Sequence, residues 1–203
     1  AVLVCCRAMP ERWTALRPAA DSAGHIARLQ AGFRKAVDQG KVVDARSQGW
    51  QEALDEAQTV RWIAELLGYP TDCGGLLVSG GNMANLHGFM AARRAKVPWD
   101  VRADGVRGNA RPITVYASRE THTWIEKAAD TSGLGTQAIR WIDTDDRMRV
   151  DLNALARRVD EDRAAGCLPL LVVGTAGSVS TGAVDPLDDL ADLCESRDLW
   201  FHV

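Results

Sequence analysis

Apolar positions along this chain follow two rhythms, and they take turns. Val60, Ile63, Ala64 and Leu67 recur at the i, i+3, i+4, i+7 spacing of one helix face, with Gly68 and Pro70 as the stop. A short apolar run at 76–78 predicts a strand, and after Ser79-Gly80-Gly81 a helix is predicted from about Asn82 to Lys96. Its inward face is Leu86, Phe89, Met90 and the stem of Arg93. Residues 98–112 read as a polar, glycine-containing loop. Strands are then predicted at 113–117, 138–142, 170–173 and 199–203, separated by helices at about 121–131, from Asp151 onward, and from Asp185-Pro186 onward. Asp151 is placed to cap its helix, with Leu152, Leu155, Ala156 and Val159 inward. Asp185 reads as the cap before a proline at the first helical position, and Leu187, Leu190 and Cys194 line that helix.

Alternation of this kind predicts an α/β fold, a mostly parallel sheet with helices on its flanks. In such sheets ligands sit beyond the carboxyl ends of the strands, so the loops at 79–82, 117–122 and 174–181 become the places to look for chemistry.

Residues 1–50 differ from the rest. They hold 8 Lys+Arg against 4 Asp+Glu, whereas 51–203 hold 16 against 23. They lack clear strands, and their one periodic segment is Ile26, Leu29, Phe33, Val37. We read 1–50 as a separate N-terminal helical segment and 51–203 as the α/β domain. The net charge of -3 offers no basic surface for nucleic acid, and no apolar run approaches the roughly 18 residues of a membrane helix. Five scattered cysteines and four histidines show no metal-ligand spacing, so no metal site is expected. Unpatterned thiols point to a reducing compartment, and a cytoplasmic location is expected.

Three loops hold residues suited to chemistry. Ser79-Gly-Gly-Asn82 joins a strand to a helix, where glycines admit a ligand to the backbone and the helix start offers N–H groups to a phosphate. A plain tight turn with Asn82 as N-cap accounts for the same residues. His122, at a strand's carboxyl end, is placed to stack on a flat ring or to move a proton near neutrality, or simply to be exposed in a loop. The loop 174–182 gathers small residues and the hydroxyls of Thr175, Ser178, Ser180 and Thr181, where a cofactor edge or merely solvent would meet them.

Read together and in order, EAQTVRWIAELLGYP, GGLLVSGGNMANLHGFMAARRAK, VYASRETHTWIEKAA, LVVGTAGSVSTGAVDPL and LWFHV resemble the group II pyridoxal-phosphate (PLP) decarboxylases. These are the aromatic-amino-acid, histidine and glutamate decarboxylases. The resemblance covers about Glu56 to Val203. It implies part of the large domain of the aspartate-aminotransferase-like fold (PLP fold type I), PLP as cofactor, an amino acid as substrate, and a homodimer. It implies further that Gly81 and Asn82 hold the cofactor phosphate and that His122 stacks on the pyridine ring. Thr175 and Ser178 then lie near the cofactor, and His202 occupies a motif position.

The family's aspartate for the pyridine nitrogen follows a His-Val pair, here His202-Val203, and its Schiff-base lysine follows a histidine. Neither is present, since the four lysines are Lys35, Lys41, Lys96 and Lys127. The expectation is a fragment of an amino-acid carboxy-lyase, inactive as it stands. The alternatives are another fold type I lyase or aminotransferase, or a non-catalytic α/β module that binds phosphate or nucleotide.

Overall fold

The computed structural model describes residues 2–6, 48–68, 70, 73–106 and 111–203. The periodic segment at 26–37 therefore lies outside the described residues. Contacts divide the chain into two compact units, Ala1–Ala84 and Asn85–Val203.

In the first unit, β1 (Val2–Cys6) pairs antiparallel with β2 (Gly74–Val78), Val2 opposite Val78 and Cys6 opposite Gly74. Residues 1–50 thus do hold a strand. Five apolar residues at a chain start carry no alternation, so only their partner, some seventy residues away, defines them as β. Helix α1 (Gln48–Leu66) buries Val60 and Ala64 and sends the carboxylate of Glu56 to the Leu77 N–H at 2.7 Å. It ends where predicted, with Gly68 at φ +68° accepting the left-handed turn that closes a helix. Leu67 was expected inside but is exposed, because it falls beyond the last helical turn.

The second unit is built on four parallel strands in the order β4-β3-β5-β6. These are β3 (Ile113–Ser118), β4 (Ile139–Ile142), β5 (Leu168–Val173) and β6 (Trp200–His202). All six residues of β3 are buried, as a strand between two helix layers requires. One layer holds the inner end of α2 (Gly81–Lys96), the short α3 (Val101–Asp104) and α4 (Trp124–Thr131). There Phe89, Ala92, Val101, Trp124 and Ile125 pack on Val115, Ala117 and Leu171. The other layer, α5 (Leu152–Ala164) and α6 (Leu187–Ser196), packs Leu155, Val159, Leu190 and Cys194 on Tyr116, Ile142 and Val172.

Chain direction and helix face reverse together: β3 to β4 passes over one face, β4 to β5 back over the other. The crossovers therefore share one hand. Pro169 sits inside β5 and has no N–H to give. Next to it the register slips, Thr114 facing Pro169 and Val115 facing Leu171, so Leu170 is the extra residue of a bulge.

Three local expectations are corrected. Residues 98–112 are not all loop, because Asp100 caps α3 by accepting the Arg102 N–H and Val101 is buried. Met90 is exposed, and Ala92, three residues on from Phe89 and so on its face of the helix, takes the inward position. Asp185 is not the cap of α6; Pro186 occupies that position. Asp151 does cap α5, accepting from the N–H groups of Asn153 and Ala154. No helix among the described residues is long and apolar enough to cross a membrane.

Candidate active site

In the second unit the strand order reverses at β3, whose neighbours β4 and β5 are reached in opposite directions. The crevice at such a switch point, beyond the carboxyl ends of β3 and β5, is where ligands of open α/β sheets bind. Two loops border it, 119–123 after β3 and 174–185 after β5. They are tied together by Ser180, whose hydroxyl donates to Glu120 Oε2 at 2.6 Å.

The first loop is braced from beneath and from the side. Thr121 and Ser118, both buried, share a hydroxyl contact at 3.3 Å, and Arg119 pairs with Asp143 at 2.8 Å. His122 stands exposed at its end. Thr123, at the N-cap of α4, makes no side-chain cap bond. Instead His122 Nδ1 accepts the Trp124 N–H at 3.2 Å. One orphan donor of the helix start is thereby satisfied, and the proton of the neutral ring is placed on Nε2.

The second loop folds on itself. Ala176 and Val184 form an antiparallel bridge, and Gly177 and Gly182 take φ of +97° and +71°. Ser178 is buried, its hydroxyl 2.6 Å from that of Thr181 and also accepting the Thr181 N–H. Thr175 gives its N–H to Asp185 Oδ2 at 2.8 Å, while Asp185 Oδ1 accepts the Val150 N–H at 2.7 Å. The buried Asp185 thus joins this loop to the start of α5. Reading it as a helix cap missed this, since aspartate before proline is a local signal and Val150 is distant in sequence. Ser178 and Thr175 are brought into one loop, with the Ser178 hydroxyl engaged inside it.

His202 ends β6 with its ring packed against Trp124, centroids 4.9 Å apart, and Nε2 2.8 Å from Asn85 Oδ1. Burial lowers its pKa to about 4, so the ring is neutral at physiological pH.

In the first unit, β2 turns into α2 through Ser79-Gly80. Gly80 holds φ +103° and accepts the Ala84 N–H at 3.1 Å, so Gly80, not Asn82, is the N-cap position. Gly81 and Asn82 are the first helical residues and are exposed. A Cβ built on either Gly80 or Gly81 meets no atom within 4 Å, and the first turn holds no acidic residue. A helix start so open and so free of negative charge suits a phosphate.

Residues 50–203 match the pyridoxal-dependent decarboxylase conserved domain. The chain belongs to the pyridoxal-dependent decarboxylase family. Its likeness to the aromatic-L-amino-acid decarboxylase of Bacillus atrophaeus is 40% identity over 147 residues, 72% of this chain and 29% of that protein. Among solved structures, the glutamate decarboxylase domain of a diaminobutyrate-pyruvate transaminase and L-2,4-diaminobutyrate decarboxylase from Vibrio parahaemolyticus superposes at a TM-score of 0.72 and 25% identity. That match covers 92% of this chain and 40% of that one. Oryza sativa TDC, solved with PLP and tryptamine, gives 0.63 and 31%, covering 73% and 32%. The chain spans about 30% of the length of the curated relatives it matches.

The decarboxylase family's cofactor is PLP; within the first unit the open helix start at Gly81 is of a kind that suits a phosphate, and within the second unit His122 presents an exposed imidazole. The Asp185 strut was not legible as a site feature in sequence, because it depends on the Val150 N–H, thirty-five residues away, that only the fold brings into reach.

Proposed function

We propose that the protein carrying this chain is a PLP-dependent carboxy-lyase that removes the α-carboxylate of an amino acid. The observation that carries the reading is the family match over 50–203, with His122 and the loop 174–185 at the carboxyl ends of β3 and β5. When bound, PLP supplies an electron sink for the pair released from the bond between Cα and the carboxylate. The work of this chain is to hold and orient it. Gly81 and Asn82 hold the phosphate at the start of α2. His122, kept in one tautomer by the Trp124 N–H, fixes the plane of the ring, and Thr175 and Ser178 border the cofactor's edge. The relatives named above include enzymes of aromatic and non-aromatic amino acids, so the proposed substrate class is the α-amino acid. A homodimer and a cytoplasmic setting belong to the same reading; the free thiols of Cys167 and Cys194 support the latter.

The test is PLP affinity of the chain and of Gly81→Val, followed by the cofactor's absorbance. A Cβ at position 81 meets no atom within 4 Å, so the variant is expected to fold, which far-UV circular dichroism checks. Affinity is expected to fall by about tenfold or more as the side chain fills the phosphate's place. In the full-length enzyme, His122→Ala is expected to lower turnover by about 10–100-fold. Equal PLP affinity in folded wild type and Gly81→Val, with turnover unchanged in His122→Ala, would overturn the reading.

A further inference from the structure

We propose that Glu120 and Ser180 are positioning residues whose hydrogen bond clasps the loop after β3 to the loop after β5 and sets the width of the crevice between them. The proposal deepens the reading of that crevice as a cofactor site and rests on it for its functional meaning, though not for its structural content.

Each loop first closes on itself. Over 118–121 the Thr121 N–H donates to the Ser118 carbonyl at 3.0 Å, and the two side-chain hydroxyls lie 3.3 Å apart. Over 178–182 Ser178 Oγ accepts the Thr181 N–H at 3.1 Å, and the Ser178 carbonyl accepts the Gly182 N–H at 2.9 Å. Glu120 and Ser180 each stand at the third residue of their turn. Their bond therefore joins two turns that are already formed, rather than two loose ends.

The second loop is anchored at its base but not at its tip. Asp185 ties the base through the N–H groups of Thr175 and Val150. Beyond the bridge between Ala176 and Val184 the tip runs into solvent, with Val179 87% exposed. Gly177 and Gly182, both left-handed, flank it and leave the backbone free to swing there. Among the described residues, the bond from Ser180 Oγ to Glu120 Oε2 at 2.6 Å is the one hydrogen bond or ion pair that ties 177–182 to a residue outside the loop.

A hydroxyl donating to a carboxylate is short and charge-assisted. Ser180 is exposed and Glu120 partly so, hence water competes for both groups and the bond adds little to global stability. Its effect is local. It restrains the tip two residues from Ser178 on one side and two residues from His122 on the other. Two loops held together before the cofactor arrives spare part of the ordering cost of binding.

The test uses the full-length protein carrying this chain and reads it in two ways. Amide hydrogen exchange across 177–183 is measured with PLP removed, and PLP affinity is measured by absorbance. The variants are Ser180→Ala, Glu120→Ala, the two combined, and Ser180→Thr, which keeps the hydroxyl. Thermal unfolding is expected to be unchanged in all of them. In each single alanine variant, exchange is expected to quicken about threefold or more and PLP affinity to fall about three- to tenfold. The combined variant should be no worse than either single one, and Ser180→Thr should restore both readings. Unmoved exchange in the folded single variants, or effects that add in the combined one, overturns the proposal. The clasp and the cofactor reading fail separately. Quickened exchange beside unchanged affinity, in a wild type that binds PLP, overturns the positioning role. A wild type that does not bind PLP sinks the cofactor reading, and exchange alone then decides the clasp.

Discussion

One carboxylate, that of Asp185, holds two backbone N–H groups, from Val150 and Thr175, at 2.7 and 2.8 Å. Asparagine has the same shape but turns one acceptor into an amide donor facing an N–H. Asp185→Asn is therefore expected to cost about 2–3 kcal/mol in urea unfolding; a loss under half of the lower figure would mean that the strut carries little. His202 adds a pH term. Its folded pKa of about 4 lies below the ordinary 6.5, so between these values the unfolded chain binds the extra proton. Stability is then complete above about pH 6.5 and falls as pH drops toward 4, by about 3 kcal/mol at most. Replacing His202 with phenylalanine should flatten that part of the stability profile, and an unchanged slope would assign the loss to other groups.

Among the elements, helix α2 depends on close approach and α5 on its cap. Gly88→Ala is expected to cost about 1–3 kcal/mol, because the new methyl overlaps a ring pinned by Asn85 and Trp124. Thermal unfolding checks this, and a neutral result would mean that β6 yields more readily than its contacts imply. Asp151→Ala should cost about 1 kcal/mol by the same measurement, through two lost N–H bonds at the start of α5. Both helices were legible from their apolar spacing. Their exact inward faces were not: the buried Asp162 on α5 accepts from Tyr116 and Arg140, and a charged residue on an apolar face has no signature in periodicity.

For the molecule as a whole the lysines are informative. Lys96 ends α2 and pairs with Asp198 at 2.5 Å, just before β6 begins and so at the amino edge of the sheet. Lys127 is exposed on the second turn of α4. Neither stands at the carboxyl-end crevice. Incubating the 203-residue chain with PLP and reducing with borohydride is therefore expected to label neither of them stoichiometrically. A single full label on Lys96 or Lys127, with carbon dioxide released from an amino acid, would refute this.

Sequence alone determined the alternation of strands and helices from Val60 onward, the parallel sheet and the three loops at strand ends. Those follow from spacing and from glycine and capping chemistry, which are local. The order of several motifs also carried the family resemblance. Only the tertiary structure decided that β1 is a strand, that Asp185 is a strut, and that His202, Asn85 and Trp124 meet. Each rests on partners far apart in the chain: Val78 for Val2, Val150 for Asp185, Asn85 for His202. A hydrogen bond to a distant backbone N–H leaves no periodic trace in sequence, because its geometry exists only once the sheet order β4-β3-β5-β6 has set which ends lie side by side.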